Sequence, residues 1–277
     1  MQIDDFWKAL HEKSGYETPP DVHRNLYGRL LSGRLDCFYY ADVTHVVFSA
    51  NRCARHGQFD RLTWARHGLR MLQAAERAGG RARFSGFDNI AKARLPVVYT
   101  SNHMSVVDTT ILPAALLGFG DVATVVKESL MTYPLFGRVM RATDPISVTR
   151  RDAREDLKLV MTRGEAFLRA GRSVLIFPQA TREPGFNPSE FNSLGVKLAR
   201  NAGEASKRAR NCAARLGKEG KAFGAKVLFF SAKVDAESGR PSWEGPGRGS
   251  PRLALVSAAA RSASQPAARQ ARSSPPQ

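Results

Sequence analysis

The sequence predicts an α/β fold: a mainly parallel central sheet flanked by helices, preceded by a helical region and followed by a disordered basic tail. Three observations predict it. From Arg81 onward, short β-prone apolar runs alternate with helical patterns, and that alternation builds parallel sheets. Before Arg81 the chain is rich in Arg, His and aromatic residues and contains one clear amphipathic helix. After Gly203 the apolar anchors thin out, and from Ala236 to Gln277, 27 of 42 residues are Ala, Ser, Gly or Pro. Such a composition buries too little apolar surface to offset the entropy of ordering. Three regions follow: a helical region at 1–80, a core at 81–203, and a divergent tail at 204–277 that is largely disordered from about 236.

Within the first region, Leu35 to Val47 is apolar but interrupted. Leu62 to Ala78 is a better helix, with Trp64, Met71, Leu72 and Ala75 on one stripe and Arg66, His67, Arg70 and Arg77 largely off it. Gly79-Gly80 stops it. A basic amphipathic helix can lie on an anionic membrane, but its apolar side is expected to pack on the core.

In the core, Arg81 to Phe87 alternates and contains Gly86, which predicts an edge strand. Val97 to Thr100 predicts a buried strand that breaks at Ser101-Asn102. The apolar helix after Asp108 ends near Gly118, and Pro113 predicts that it starts late or kinks. Val122 to Lys127 and Pro145 to Val148 predict two further strands. Asp152 with Glu155 predicts a capped helix that Gly171 closes. Ser173 to Phe177 is a buried strand ending in Pro178-Gln179-Ala180-Thr181-Arg182. Val227 to Val234 offers one last strand.

The 277 residues carry a net charge of +17, of which 201–277 holds +9, from 14 Lys+Arg against 5 Asp+Glu. That excess suits an anionic partner: nucleic acid, an anionic membrane or a phosphorylated substrate. Cys37, Cys53 and Cys212 form neither a disulfide framework nor a zinc pattern, so a reducing compartment is the default. No signal peptide is expected, and no stretch approaches the roughly 18 apolar residues of a spanning helix, so membrane contact should be peripheral.

His103 and Asp108 hold the chemistry. A five-residue helical step separates side chains by roughly 140°, so they cannot share one helical face. They meet if His103 sits on the loop leaving the strand and Asp108 in the next turn. A carboxylate there fixes the tautomer of a histidine base and stabilises its imidazolium. In parallel sheets ligands gather beyond the strands' carboxyl ends, so His103 and Thr181-Arg182 are expected to face one cleft.

Several blocks carry a resemblance. The block Asn102-His103-Met104-Ser105-Val106-Val107-Asp108 resembles the His-x4-Asp motif of the glycerolipid acyltransferases, the lysophosphatidic acid acyltransferase group. Val126 to Leu130 with Tyr133 to Gly137 is similar to that family's connector. Pro145 to Arg150 resembles its apolar strand ending in arginine, and Phe177 to Arg182 its Phe-Pro-Glu-Gly-Thr-Arg block. The likeness spans roughly Arg83 to Ala202. It implies acyl transfer from acyl-CoA or an acyl-carrier protein to the hydroxyl of a lysophospholipid or 1-acylglycerol-3-phosphate, with no cofactor beyond that co-substrate. By this resemblance His103 is the base and Asp108 its partner. Arg150, Thr181 and Arg182 bind the acceptor's phosphate, and Asn102 and Gln179 stand at the acceptor site. The partners implied are an anionic membrane surface, the acceptor and the donor, without nucleic acid, at the cytoplasmic face of the cell membrane.

The chain also departs from the pattern. Gln179 and Ala180 stand where the family has Glu and Gly, and Asp144 aligns with a glycine. The family's last apolar strand, with its proline, should follow Gly203, where Glu-Ala-Ser-Lys-Arg-Ala-Arg stands instead. One explanation is divergent or out-of-frame coding, against which a strand at 204–212 would argue. The alternative function is a catalytically impaired family member that binds membranes or nucleic acid through its positive charge. A serine hydrolase is disfavoured, since there is no Gly-x-Ser-x-Gly. The chain also lacks a P-loop, a His-Glu-x-x-His and a Cys-x-x-Cys pair.

Overall fold

The computed structural model describes residues 1–22, 37–93, 95–101, 103, 108–178 and 192–202, with two further strands at 227–234 and 252–258. Helix α1 (Ile3–Glu12) begins at Gln2, whose backbone N–H donates to the Asp5 carboxylate at 3.0 Å. It buries Ile3, Phe6 and Leu10, spaced as one helical face requires. A short strand, β1 (Gly15–Glu17), follows. Helices α2 (Cys37–Arg55) and α3 (Arg61–Arg77) pack side by side. Asp60 caps α3 by accepting from Thr63 N–H at 2.7 Å.

The α/β core then unfolds in order as β2 (Arg81–Ser85), α4 (Asp88–Lys92), β3 (Val98–Ser101), α5 (Asp108–Leu116) and β4 (Val122–Lys127). After a 3₁₀ turn at Glu128–Met131 come α6 (Phe136–Ala142), β5 (Ile146–Val148), α7 (Ala153–Arg169) and β6 (Ser173–Ile176). Helix α8 occupies 194–202. Strands β7 (Val227–Val234) and β8 (Arg252–Ala258) complete an eight-stranded sheet of order β1-β2-β8-β7-β3-β6-β4-β5.

The five strands from β7 to β5 are mutually parallel. Their side chains alternate between two cores. Tyr99 and Leu175 face the cluster that holds α1, α3 and α5. Val98, Val174 and Ile176 face the cluster with Val160 and Leu168 of α7 and Leu198 of α8. Both faces are therefore covered, as parallel sheets demand. All five strands point the same way, so the loops after β3, β4, β5 and β6 emerge at one edge.

One expectation is corrected. β2 is no edge strand, since it pairs with β1 on one side and β8 on the other. The mainly helical first region contributes β1 to the sheet, held by Tyr16 and Thr18 hydroxyls that donate to buried Glu76 at 2.7 Å each. β8 falls within the tail expected to be largely disordered, where Leu253, Leu255 and Val256 form a local β-prone run among Ala and Ser. Helix α5 starts at Asp108 and carries Pro113 inside it. The last strand that the sequence offers at Val227 to Val234 is β7, which pairs parallel to β3. Residues 204–212 lie outside the described residues.

Candidate active site

Strand β3 ends at Ser101, and His103 follows on the loop beyond it. Asp108 opens α5. The chain thus leaves the sheet and returns as a helix within a few residues, and that reversal brings the two side chains together. His103 Nδ1 lies 3.6 Å from Asp108 Oδ2, with the side chains 14% and 4% exposed. The distance is that of an ion pair, longer than a direct hydrogen bond. The Phe177 ring, just past β6, lies against the imidazole with centroids 4.9 Å apart. An imidazole so placed keeps a fixed orientation and can take up a proton beside a carboxylate.

His103 borders a cavity of about 990 Å³. Val46, Ala50, Trp64 and Met71 of α2 and α3 line it, with Val139 and Met140 of α6. Among the described residues, the ionisable groups on its wall besides His67 and His103 are Lys127, Arg150, Arg151, Lys197 and one carboxylate, Asp156. A largely apolar space with a cationic rim suits an amphiphile whose head group is anionic.

Arg150 lies just after β5, exposed, in a left-handed conformation at φ 58°. Asp144, which stands where the family pattern has glycine, is also left-handed at φ 45°. Aspartate tolerates that region better than most residues. Its carboxylate pairs with Arg163 at 3.0 Å and Arg172 at 2.9 Å. The structure therefore gathers His103, Asp108 and Arg150 at the carboxyl edge of the sheet. Asn102, Gln179, Thr181 and Arg182 lie outside the described residues.

Two residues of the cavity escaped the sequence reading. His67 was placed off the apolar stripe of α3, yet it is buried and lines the cavity. Its Nδ1 lies 2.7 Å from the Thr63 carbonyl, which only accepts, so Nδ1 carries the proton and Nε2 accepts from Ser49 Oγ at 3.1 Å. Burial is the main cause that pushes its pKa down, which disfavours the charged imidazole. Asp156, one turn into α7, is the other; its spacing of four from the capping Asp152 was the available signal.

Parallel strands covered by helices, with a histidine–carboxylate pair at their carboxyl ends beside a largely apolar cavity, define an α/β protein with a candidate site at the place where such sheets collect ligands. Residues 81–211 match the family model Acyltransferase. That match covers the region whose motif blocks resemble the glycerolipid acyltransferase family. The chain is 32% identical over 140 residues to a 1-acyl-sn-glycerol-3-phosphate acyltransferase of Pseudomonas aeruginosa, which covers 50% of this chain and 52% of that protein. It is 27% identical over 120 residues to the chloroplastic 1-acyl-sn-glycerol-3-phosphate acyltransferase LPAT1 of Arabidopsis thaliana, covering 43% of this chain and 33% of the relative. The chain thus spans about half the length of one curated relative and a third of the other. The solved structure of the 1-acyl-sn-glycerophosphate acyltransferase PlsC from Thermotoga maritima is similar with a TM-score of 0.48 and 18% identity, over 84% of this chain and 86% of that one.

Proposed function

We propose that this protein transfers a fatty acyl chain from an acyl thioester, acyl-CoA or acyl-carrier protein, to the hydroxyl of 1-acylglycerol-3-phosphate or a related lysophospholipid. The observation that carries the proposal is the His103–Asp108 pair at 3.6 Å on the wall of the large apolar cavity. With Nδ1 turned to Asp108, Nε2 is the nitrogen left to take the acceptor's hydroxyl proton. The freed oxygen attacks the thioester carbonyl carbon, and an ester bond forms as the carbon–sulfur bond breaks. The thiolate leaves with the proton returned from His103. Asp108 orients the imidazole and stabilises its charged form. Arg150 holds the acceptor's phosphate, aided by Thr181 and Arg182, because a guanidinium fork matches phosphate oxygens.

The apolar wall from α2 and α3 receives the acyl chains. Both substrates reside in or near a bilayer, and the +17 chain suits an anionic one. Phe38, Tyr40 and Phe48 of α2 are exposed, and among the described residues no helix is long and apolar enough to cross a membrane. In this reading the protein works peripherally at the inner face of the cell membrane, which the exposed aromatic side chains and the net positive charge support.

The test is thiol release. Protein is mixed with a long-chain acyl-CoA or acyl-carrier protein and a panel of lysophospholipids, beside His103→Ala. Release that requires both acceptor and His103 supports the proposal. A folded protein that releases no thiol with any donor or acceptor, yet binds anionic vesicles, refutes it in favour of a binding role.

A further inference from the structure

Asp156 takes no part in the transfer chemistry, yet it lines the cavity with Arg150. Its carboxylate is turned onto the loop between β5 and α7. Oδ1 accepts from the Thr149 backbone N–H at 2.8 Å and from the Thr149 hydroxyl at 3.2 Å. Oδ2 accepts from the Arg150 backbone N–H at 2.7 Å. Three donors on two consecutive residues thus converge on one side chain.

The residue so gripped is the strained one. Arg150 is left-handed at φ 58°, where a side chain with a Cβ is disfavoured. Such strain persists only where the surroundings over-determine the backbone. The start of α7 offers no substitute for a side-chain anion site, because Asp152 already accepts from Arg154 N–H at 2.8 Å and Glu155 N–H at 3.1 Å. Anion binding at this loop therefore falls to its side chains, and their placement depends on the backbone that Asp156 holds.

We infer that Asp156 is a positioning residue: it locks the Thr149–Arg150 turn in the strained conformation that presents Arg150 to the acceptor's phosphate. The inference rests on the proposed phosphate role of Arg150. It also predicts an unusual sign. A carboxylate near an anion site repels phosphate, so a purely electrostatic role for Asp156 would make its removal tighten acceptor binding. A positioning role makes removal weaken it.

The experiment measures thiol release from acyl-CoA by the full chain with 1-acylglycerol-3-phosphate and with monoacylglycerol, which lacks the phosphate. Asp156→Asn keeps the shape but offers an amide N–H2 to one of the two backbone donors. The expected result is a KM for the phosphorylated acceptor raised about tenfold, with kcat within about twofold and the KM for monoacylglycerol unchanged. Asp156→Glu, which keeps the carboxylate, recovers part of the loss. A KM for the phosphorylated acceptor that stays level or falls in Asp156→Asn, while Arg150→Ala raises it, overturns the inference alone. An Arg150→Ala variant with unchanged KM overturns the phosphate role and this inference with it. Should Asp156→Asn fail to fold, Thr149→Val removes the hydroxyl that donates to Asp156 and accepts from the Arg151 N–H, each at 3.2 Å, while leaving both backbone N–H contacts to Asp156; a KM raised about twofold for the phosphorylated acceptor then supports the inference, and no rise overturns it.

Discussion

Replacing Gly68 with alanine should loosen the protein at the contact between α3 and α5. A Cβ built on Gly68 would lie 2.5 Å from the Thr110 carbonyl oxygen and 2.6 Å from the Ala114 Cβ. Both atoms belong to the backbone or its first carbon, so no rotamer change can relieve the clash. Overpacking of this kind costs about 3 kcal/mol at the upper end of its range. Alanine returns roughly 1 kcal/mol through its better helix propensity. The net loss is therefore about 2 kcal/mol, or a Tm lower by roughly 4–8 °C for a chain of this size. Denaturant unfolding of the variant and its parent measures it. Because α5 begins at Asp108, the displaced helix should also reduce kcat. Adding Ala114→Gly removes one of the two clashes but costs roughly 1 kcal/mol of helix propensity in α5, so little of the stability should return. A Gly68→Ala protein as stable as its parent would refute the reasoning, since α3 and α5 would then have slack that the contact geometry denies.

Other expectations follow from the same geometry. His103→Ala should lower the rate of thiol release by about 10²–10⁴-fold while leaving the unfolding transition in place, as removal of a general base does; Asp108→Asn should lower it less, by kinetics at matched pH. Glu76→Ala strands the Tyr16 hydroxyl in the interior, while Thr18 keeps the Ala82 carbonyl at 3.3 Å, so stability should fall by roughly 2 kcal/mol on denaturation. His67 has a folded pKa below its unfolded value of about 6.5, so the unfolded chain binds the extra proton between the two values. Its contribution to stability is present above about pH 6.5 and is lost as pH falls toward the folded pKa; Tm measured against pH should show this slope, and His67→Gln should flatten it.

Much of the fold was legible because β3, β4 and β6 are buried on both faces or nearly so and are rich in Val, Leu, Ile, Tyr and Thr. The His103–Asp108 meeting was legible for a related reason: a strand end and a helix start bracket the pair. β1 was not, because three residues carry no periodicity. β8 was lost in a composition averaged over a long Ala- and Ser-rich window. His67 and Asp156 were missed for a common cause. Each looks like a polar residue on a helix, and what gives it a role lies elsewhere in the fold: Ser49 on the neighbouring helix for one, a strained loop for the other. Local pattern fixes which elements form, but the partner a polar side chain finds depends on their docking.

Both ends of the described sheet are three-residue strands, β1 and β5. A sheet edge exposes unpaired backbone donors and acceptors and so invites another chain to add on. Edges this short offer an incoming strand few bonds. A basic protein whose sheet is eight strands wide thus keeps its open borders small, which favours a chain that stays unaggregated when concentrated at a surface.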